Sequence, residues 1–315
     1  REAREKLAGA MVRGADAFMT RLKKNLRACH KWAGREGIDC YRVYDADLPE
    51  YAVAVDRYGG MVRVQEYAPP KTVDRAKAAA RLEDAMTVIP AAMGVGPEHV
   101  ALVTRTRGRD ETTGAASLLA VKEGERRFLV NPAAGNTGLS LERRLLRDMV
   151  ARLAPGGRFL DLWCRAGTAT VSAALAGAKE IVSVEPSAPW CEWARKNLEL
   201  NGLRSGEHRI IREEPIPWVR RCRERFSLIL LEVPRDGGAE DITAAAAGLL
   251  EGDGLMILCA DRRVKHEFEA LPPGLEARDI TDKMIPWDSR RKGTLRVFMI
   301  ADPVVLRKQV QWKGR

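Results

Sequence analysis

The chain has 315 residues, of which 45% are hydrophobic and 30% charged, and its formal net charge is +10. This length is typical of two domains or of one large α/β domain with an added module, and the composition is that of a globular protein with a sizeable core. No run of 18 apolar residues occurs, and the first residues have no apolar stretch, so we expect neither a membrane span nor a signal peptide. We therefore expect a cytoplasmic protein, and the positive charge favours a polyanionic partner.

Cysteine and serine patterns narrow the chemistry further. The six cysteines form no CxxC pair and no Cys/His cluster with zinc spacing, so we expect reduced thiols and no metal site. A GxSxG turn is also missing from the sequence, which gives a hydrolase little support. The first residue is Arg1 rather than Met, which is typical of a piece of a longer chain.

Residues 1–36 predict a basic helical segment. Apolar residues recur at helical spacing along it, and the segment carries ten Lys and Arg residues against four acids. Several cations fall largely off the apolar stripe, where they face either RNA phosphates or water. We name four of them as candidate RNA-binding residues: Lys23, Lys24, Arg27 and Lys31.

Residues 37–135 predict a mixed α+β accessory domain that binds RNA. Apolar and polar residues alternate from residue 40 to 68, and Gly59-Gly60 is typical of a hairpin turn within that run. The remaining elements predicted for this domain are a helix at 71–89 and strands at 99–105, 117–121 and 127–131.

Residues 136–303 change to strands that alternate with helices, which predicts a doubly wound, mainly parallel sheet. An amphipathic helix at 139–153 leads into this part, and the first strand begins near residue 158. Residues 304–315 follow as a basic tail. We thus expect an α/β fold with a smaller N-terminal α+β domain.

Acidic residues and a glycine turn mark the carboxyl ends of the predicted parallel strands. The strand FLDLW runs into a turn with Gly167 and then into a helix, and Glu185 ends the next strand about twenty residues later. An acid at that position can accept hydrogen bonds from both ribose hydroxyls of a nucleoside cofactor. The third strand ends in Glu213-Glu214 and the fourth in Glu232-Val233-Pro234. All four features converge on one crevice, and the absence of GxGxxG disfavours NAD.

Specific segments of the chain resemble a known enzyme family. The sequences FMTRLKKNLRACHKWAGREGIDCYRVYDADLPEYAVAVDRYGG, VQEYAPPKT and EWARKNLELNGL closely resemble the C-terminal half of the bifunctional 23S rRNA guanine methyltransferase, and the likeness covers roughly residues 18–303. The resemblance implies a Rossmann-like class I fold that uses S-adenosylmethionine (SAM) and methylates guanine N7 of 23S rRNA, either naked or in an assembly intermediate. It also implies an upstream guanine-N2 methyltransferase half, fused to this chain or paired with it.

Carried over to this sequence, the resemblance assigns roles to individual residues. It places Asp161, Gly167 and Thr168 against the methionine part of SAM, Glu185 on the ribose, and Glu214 near adenine. Catalytic positions fall on Glu232 and Pro234, where the family has an AspProPro-Thr-Phe motif. The basic loop near the C-terminus adds three candidate RNA contacts: Arg290, Arg291 and Lys292.

Departures from the family motifs leave two hypotheses open. Guanine N7 carries a lone pair and no proton, so its methylation needs orientation more than a base. The leading hypothesis is therefore a SAM-dependent rRNA methyltransferase. The alternative is an RNA-binding or ribosome-assembly module that kept the fold and lost catalysis, because the turn Trp163–Gly167 and the motif at Glu232 have both changed. SAM binding that depends on Glu185 would separate them.

Overall fold

The structure is a computed structural model, and its contacts divide the chain into two compact units. Unit 1 comprises Arg1–Leu141 and Trp287–Arg291, and unit 2 comprises Glu142–Pro286 and Lys292–Arg315. In the described parts of the chain, no helix is both long enough and apolar enough to cross a bilayer. The structure describes residues 2–67, 73–104, 118–204, 208–233, 239–263, 268, 270–289 and 295–309.

Unit 1 begins with a helical segment that is broken near its start. Gly14 has φ +96°, a conformation that favours glycine, and it kinks the chain inside the π-helical turn Met11–Ala15. The long second helix ends at Gly37, whose φ of +66° provides a left-handed cap that bonds to the carbonyl of Ala33. The α-helices of unit 1 are α1 (Glu2–Ala10), α2 (Asp16–Glu36) and α3 (Arg75–Met93), with a 3-10 turn at Pro97–His99.

Two sheets form the β part of unit 1. The larger sheet has the order β1-β2-β3-β4, and β5 and β6 pair separately as an antiparallel hairpin. The predicted hairpin at Gly59-Gly60 is confirmed, since it joins β2 to β3. Strand β4, at the edge of the larger sheet, pairs parallel with β3, because the chain between these two strands forms the crossover helix α3. The strands are β1 (Cys40–Asp45), β2 (Val53–Tyr58), β3 (Met61–Glu66), β4 (Val100–Thr104), β5 (Leu119–Glu123) and β6 (Arg126–Val130).

The apolar face of α2 is fixed by an aromatic cluster. Phe18 is fully buried, stacks on Tyr51 with ring centroids 4.5 Å apart, and meets Tyr44 edge-on at 5.0 Å. Burial of one such ring contributes about 2–3 kcal/mol, so the orientation of the helix about its own axis is well determined. The opposite face of α2 therefore lies in solvent.

Unit 2 is built on one seven-stranded sheet with the order β12-β13-β11-β10-β7-β8-β9. Neighbouring strands from β11 to β9 pair parallel, as the alternation of strands and helices predicted. Strand β13 runs antiparallel to both β11 and β12, so the sheet is mixed. The strands are β7 (Arg158–Leu162), β8 (Glu180–Val184), β9 (Arg209–Ile211), β10 (Phe226–Glu232), β11 (Leu250–Asp261), β12 (Glu276–Asp279) and β13 (Leu295–Ala301).

The helices of unit 2 connect these strands. The helix predicted at 139–153 is shorter in the structure, since a 3-10 turn occupies Leu141–Arg143 before it begins. The predicted basic tail from residue 304 starts as a helix whose Leu306 is buried. The α-helices are α4 (Arg144–Leu153), α5 (Thr168–Leu175), α6 (Ala188–Leu200), α7 (Pro215–Arg221), α8 (Ala239–Ala247) and α9 (Pro303–Gln309), with a 3-10 turn at Thr281–Met284.

Candidate active site

The turn between β7 and α5 has an unusual backbone. Gly167 has φ +66°, and a Cβ placed on it would lie 2.8 Å from Cβ of Ala194, so this position requires glycine on two grounds. Trp163 and Arg165 also have positive φ values, 58° and 49°. Such conformations cost on the order of 1–3 kcal/mol each for residues other than glycine, and they concentrate at ligand sites. The strained backbone of Trp163 and Arg165 therefore makes this turn a candidate ligand site.

Hydrogen bonds from two neighbouring elements hold this turn. The backbone N–H of Trp163 donates to the carbonyl of Val184 at 2.9 Å. The side chain of Asn197 on α6 is fully buried, and its Nδ2 donates to the carbonyl of Ala166 at 2.8 Å. Val184 lies on β8 and Asn197 lies on α6, so the turn is fixed relative to both elements.

Glu185 follows β8 directly and is only 3% exposed. Its Oε2 accepts the backbone N–H of Arg165 at 3.0 Å, and its Oε1 accepts the backbone N–H of Ser187 at 3.0 Å. Burial raises the pKa of Glu185, although both hydrogen bonds and the charge of Arg165 act in the opposite direction. A carboxylate has about four acceptor sites, so after these two bonds it can still accept both hydroxyls of a ribose.

Asp161 is the second-last residue of β7 and is 1% exposed. Its Oδ2 accepts the hydroxyl of Thr170 on α5 at 2.7 Å, and that hydroxyl also lies 2.8 Å from the hydroxyl of Ser183 on β8. Burial raises the pKa of Asp161 to about 7, and the charges of Glu232 and Glu185 act in the same direction. The buried hydrogen bond between Thr170 and Asp161 therefore joins α5 to β7, the two elements that flank the turn.

Thr168 and Glu214 lie at the N-terminal ends of two helices. Thr168 is half-buried and is the first residue of α5. Glu214 is exposed and precedes α7, and its charge contributes to the raised pKa of Glu185, so the two carboxylates are electrostatic neighbours. Its neighbour Glu213 forms an ion pair with Arg221 instead. Of the two acids after β9, Glu214 is thus the one within electrostatic reach of the predicted crevice.

Glu232 ends β10 and forms an ion pair that the sequence analysis did not predict. Its Oε2 lies 2.9 Å from Nε of Arg143, and both side chains are largely buried. Burial alone would lower the pKa of Arg143, but the charges around it, led by that of Glu232, raise this pKa above its ordinary value. The guanidinium of Arg143 thus lies directly beside the carboxylate of Glu232 and offsets its charge. The second predicted catalytic residue, Pro234, lies outside the described residues.

Two tryptophans of α6 lie in the core, whereas the described basic candidates lie at the surface. Trp190 and Trp193 on α6 are both buried and stack on each other with centroids 5.1 Å apart, which fits core packing. The four candidates on α2 are all exposed, on the face opposite the buried stripe: Lys23, Lys24, Arg27 and Lys31. The three candidates of the C-terminal loop lie outside the described residues: Arg290, Arg291 and Lys292.

The cysteines of the chain are all buried. All six cysteines lie in described parts of the chain, where they are buried and form no disulfide. Over the same parts, no group of three or more His, Cys, Asp or Glu side chains is arranged to hold a metal ion. Among the described residues around Glu185 and Glu232, carboxylates, backbone amides and the cations Arg143 and Arg165 lie within reach of one another.

Comparisons with known proteins support the fold. No family model matches the chain. Among solved structures, a proposed SAM-dependent methyltransferase from Streptococcus mutans matches with a TM-score of 0.71 and 16% identity, covering 90% of this chain and 80% of that chain. The structure of SMU.776, a proposed methyltransferase in complex with SAH, gives the same TM-score, identity and coverage. A SAM-dependent methyltransferase from Agrobacterium tumefaciens matches with a TM-score of 0.56 and 17% identity, covering 80% of this chain and 88% of that chain.

The predicted fold class is thereby confirmed. The strand order of unit 2, with one antiparallel strand beside a parallel sheet, and the likeness to these structures identify a Rossmann-like class I SAM-dependent methyltransferase fold. Identities of 16% and 17% establish the fold and no more. The residues assigned to the cofactor and to catalysis stay predictions.

Proposed function

We propose that the chain is a SAM-dependent methyltransferase that acts on ribosomal RNA, at guanine N7 of 23S rRNA. The observation that carries this proposal is the buried carboxylate of Glu185, which two backbone N–H groups fix at the carboxyl end of β8. In this fold the crevice for a ligand lies at that edge of the sheet. An acid held there with acceptor capacity to spare matches the diol of an adenosine ribose.

The residues at this edge fit SAM in their chemistry. Glu185 would accept the ribose hydroxyls, and the exposed Glu214 would approach the adenine end. The backbone of the turn at Gly167 would lie against the methionine end, as would Thr168 at the start of α5. Asp161 supports this turn from below through Thr170. The cofactor would supply an electrophilic methyl group, and the protein would orient it.

The ion pair between Arg143 and Glu232 bears on which atom receives the methyl group. An exocyclic amine loses a proton on methylation and benefits from a general base or a carbonyl acceptor. Guanine N7 has no proton to lose, and the reaction depends on proximity and orientation. The carboxylate of Glu232 is already engaged by the guanidinium of Arg143 at 2.9 Å, so the arrangement favours a lone-pair acceptor such as N7, which needs no base. In this proposal Glu232 orients the substrate.

The exposed cations of α2 support RNA as the substrate class. A helix that presents several cations on one face can neutralise phosphates at successive positions of a nucleic acid. The net charge of +10 adds a long-range attraction to polyanions. The likeness of residues 18–303 to the rRNA guanine methyltransferase family supports the same substrate.

Methyl transfer to RNA provides the test. Tritiated SAM and 23S rRNA transcribed without modification should yield labelled RNA with the wild-type protein. The site should be detected by borohydride reduction and aniline cleavage, because this treatment breaks the strand at N7-methylguanine. Labelled RNA without such cleavage would place the methyl group on another atom, and unlabelled RNA would exclude the proposed activity.

A second function, a non-catalytic RNA-binding module, is favoured by Arg165. Burial raises the pKa of Glu185 and that of Cys259 on β11, and the charge of Arg165 opposes both shifts, so the guanidinium lies within electrostatic reach of the crevice. A cation there opposes the sulfonium charge of SAM. Under this alternative the protein binds 23S rRNA, and neither wild type nor Arg165→Ala binds SAM. Under the methyltransferase proposal wild type binds SAM, and Arg165→Ala binds it at least as tightly.

A further inference from the structure

Trp287 is the most exposed large hydrophobic residue in the described parts of the chain, with 53% of its surface accessible. It belongs to unit 1, where its ring stacks on Trp32 of α2 with centroids 5.0 Å apart and planes inclined by 29°. Tyr41 meets Trp32 edge-on at 6.5 Å. Because one face of the Trp287 ring lies on Trp32, the exposure belongs to the other face and the edge.

The segment that carries Trp287 is anchored by the next residue. Asp288 is 3% exposed, and its Oδ2 accepts the backbone N–H of Arg42 on β1 at 3.0 Å. Arg42 in turn holds Asp56 on β2 through two hydrogen bonds of 2.7 and 3.0 Å. The indole is therefore fixed to the sheet of unit 1 through its neighbour and is preorganised, which lowers the entropy that a ligand stacked on it would have to offset.

A stripe of cations lies beside this indole pair on α2. Successive residues of an α-helix are rotated by about 100°, so Arg35, Lys24 and Lys31 lie about 60°, 80° and 100° from Trp32 around the helix axis, all in one direction. All three are exposed. The buried residues Leu22 and Cys29 lie in the opposite direction from Trp32. Trp32 thus marks the border between the buried face and the cationic face.

We propose that Trp287, supported by Trp32, is a stacking platform for an unpaired base of RNA, and that the adjacent cations of α2 bind its phosphates. The inference rests on the proposed function and extends it by naming single-stranded RNA as the form of substrate that unit 1 binds. An exposed aromatic face beside a basic stripe is the combination by which single strands are held, since every base has a π face and every nucleotide a phosphate. A regular duplex offers the phosphates but not the faces of its bases.

The two parts of this site differ in their dependence on salt, which makes them separable. Phosphate contacts release counterions, so each one lost should reduce the slope of log K against log salt by about 0.7 for a single strand. Stacking releases no counterions. Trp287→Leu should therefore weaken binding of a short single-stranded RNA about tenfold at every salt concentration, with an unchanged slope. Lys24→Gln with Lys31→Gln should reduce the slope.

Anisotropy titrations of a dye-labelled single-stranded RNA test the proposal. Trp287→Phe should retain most of the affinity, because an aromatic face remains, and Leu102→Ala, which removes another exposed apolar side chain of unit 1, should leave binding unchanged. An abasic strand of equal length keeps the phosphates, so it should bind wild type and Trp287→Leu equally. A strand of DNA with the same sequence measures whether the platform also requires the 2′-hydroxyls.

The outcomes separate this inference from the proposed function. Equal affinity of wild type and Trp287→Leu for the single-stranded RNA, with both proteins folded, would overturn the platform. An equal loss on the abasic strand would overturn it too, because the indole would then act through the phosphates. SAM titration of wild type provides the separate readout. If only the platform is wrong, wild type still binds SAM. If the proposed function is wrong, wild type does not bind SAM.

Discussion

The backbone N–H of Arg165 donates a hydrogen bond to Oε2 of Glu185 at 3.0 Å, and this bond joins the turn after β7 to the acid that ends β8. The predicted methionine-binding turn and the predicted ribose-binding acid are therefore one structural unit. A change in the turn should shift the acid, and loss of the acid should release a strained turn. This coupling makes the site sensitive to single substitutions on either strand.

Gly167→Ala should destabilise unit 2 more than an ordinary glycine replacement does. The new Cβ would meet Cβ of Ala194 at 2.8 Å, and φ is +66°. Gly177→Ala is the matched control, because its φ is +87° and nothing lies within 4 Å of the new Cβ. We expect a loss of about 1–2 kcal/mol in the free energy of unfolding for the control and a larger loss for Gly167→Ala.

Urea denaturation measures both losses. In an Ala194→Gly background, which lacks the Cβ that the new methyl group meets, Gly167→Ala should cost less than it does in wild type. Equal losses for the two single variants would show that the contact with Ala194 is not what constrains this turn.

Asp161→Asn should change how stability depends on pH. The pKa of Asp161 is raised by burial to about 7 in the folded protein, against 3.8 for an ordinary aspartate. Between these values the folded state binds more protons than the unfolded state, so this group contributes stability below pH 3.8 that is lost as pH rises towards 7. The loss amounts to at most about 4 kcal/mol.

The measurement is the free energy of unfolding of wild type and Asp161→Asn across that range. The wild type should lose stability relative to the variant as pH rises from 4 to 7. Parallel curves for wild type and Asp161→Asn would contradict the raised pKa.

Arg143→Met should destabilise the protein by about 3 kcal/mol, because it leaves Glu232 largely buried without its partner. The double variant Arg143→Met with Glu232→Gln should regain most of the lost stability, because no unpaired buried charge remains. The control is the exposed pair of Lys196 and Glu192, 3.6 Å apart, where Lys196→Met should change stability by less than about 1 kcal/mol.

The pair of Arg143 and Glu232 also allows a prediction for activity. Glu232→Gln should leave methylation at guanine N7 within about tenfold of wild type, because this reaction needs no general base. A loss of a thousandfold or more in kcat, with unchanged affinity for RNA, would show that Glu232 takes a proton and that the acceptor is a different atom. Methyl transfer under single-turnover conditions measures the difference.

Much of the fold follows from the pattern of the sequence. Buried parallel strands appear as apolar runs between helices, and a turn such as Gly59-Gly60 marks a hairpin, because both patterns are local. Strand β12 was not predicted, since its four residues, Glu276–Asp279, are mainly polar and lack alternation. The parallel pairing of β4 depends on a crossover, which no local pattern encodes.

The geometry of the candidate site follows from the sequence for residues at strand ends, and not for pairs of residues that are distant in the chain. Glu185 and Gly167 follow consecutive strands at the expected spacing, so the sequence placed them together. The pairing of Arg143 with Glu232 joins residues far apart in the chain, and no local sequence pattern encodes it. The stacking of Trp287 on Trp32 is equally remote, and composition alone offered no indication of it.

Calorimetric titration of SAM into the purified protein tests the central claim most directly. Wild type should bind SAM, and Glu185→Gln should reduce the affinity at least tenfold, because the neutral amide accepts ribose hydroxyls less well and disturbs the bond to Arg165. Glu180→Gln, at the opposite end of β8, should bind as wild type does. Equal affinities for all three proteins, or no heat of binding with folded wild type, would contradict the account.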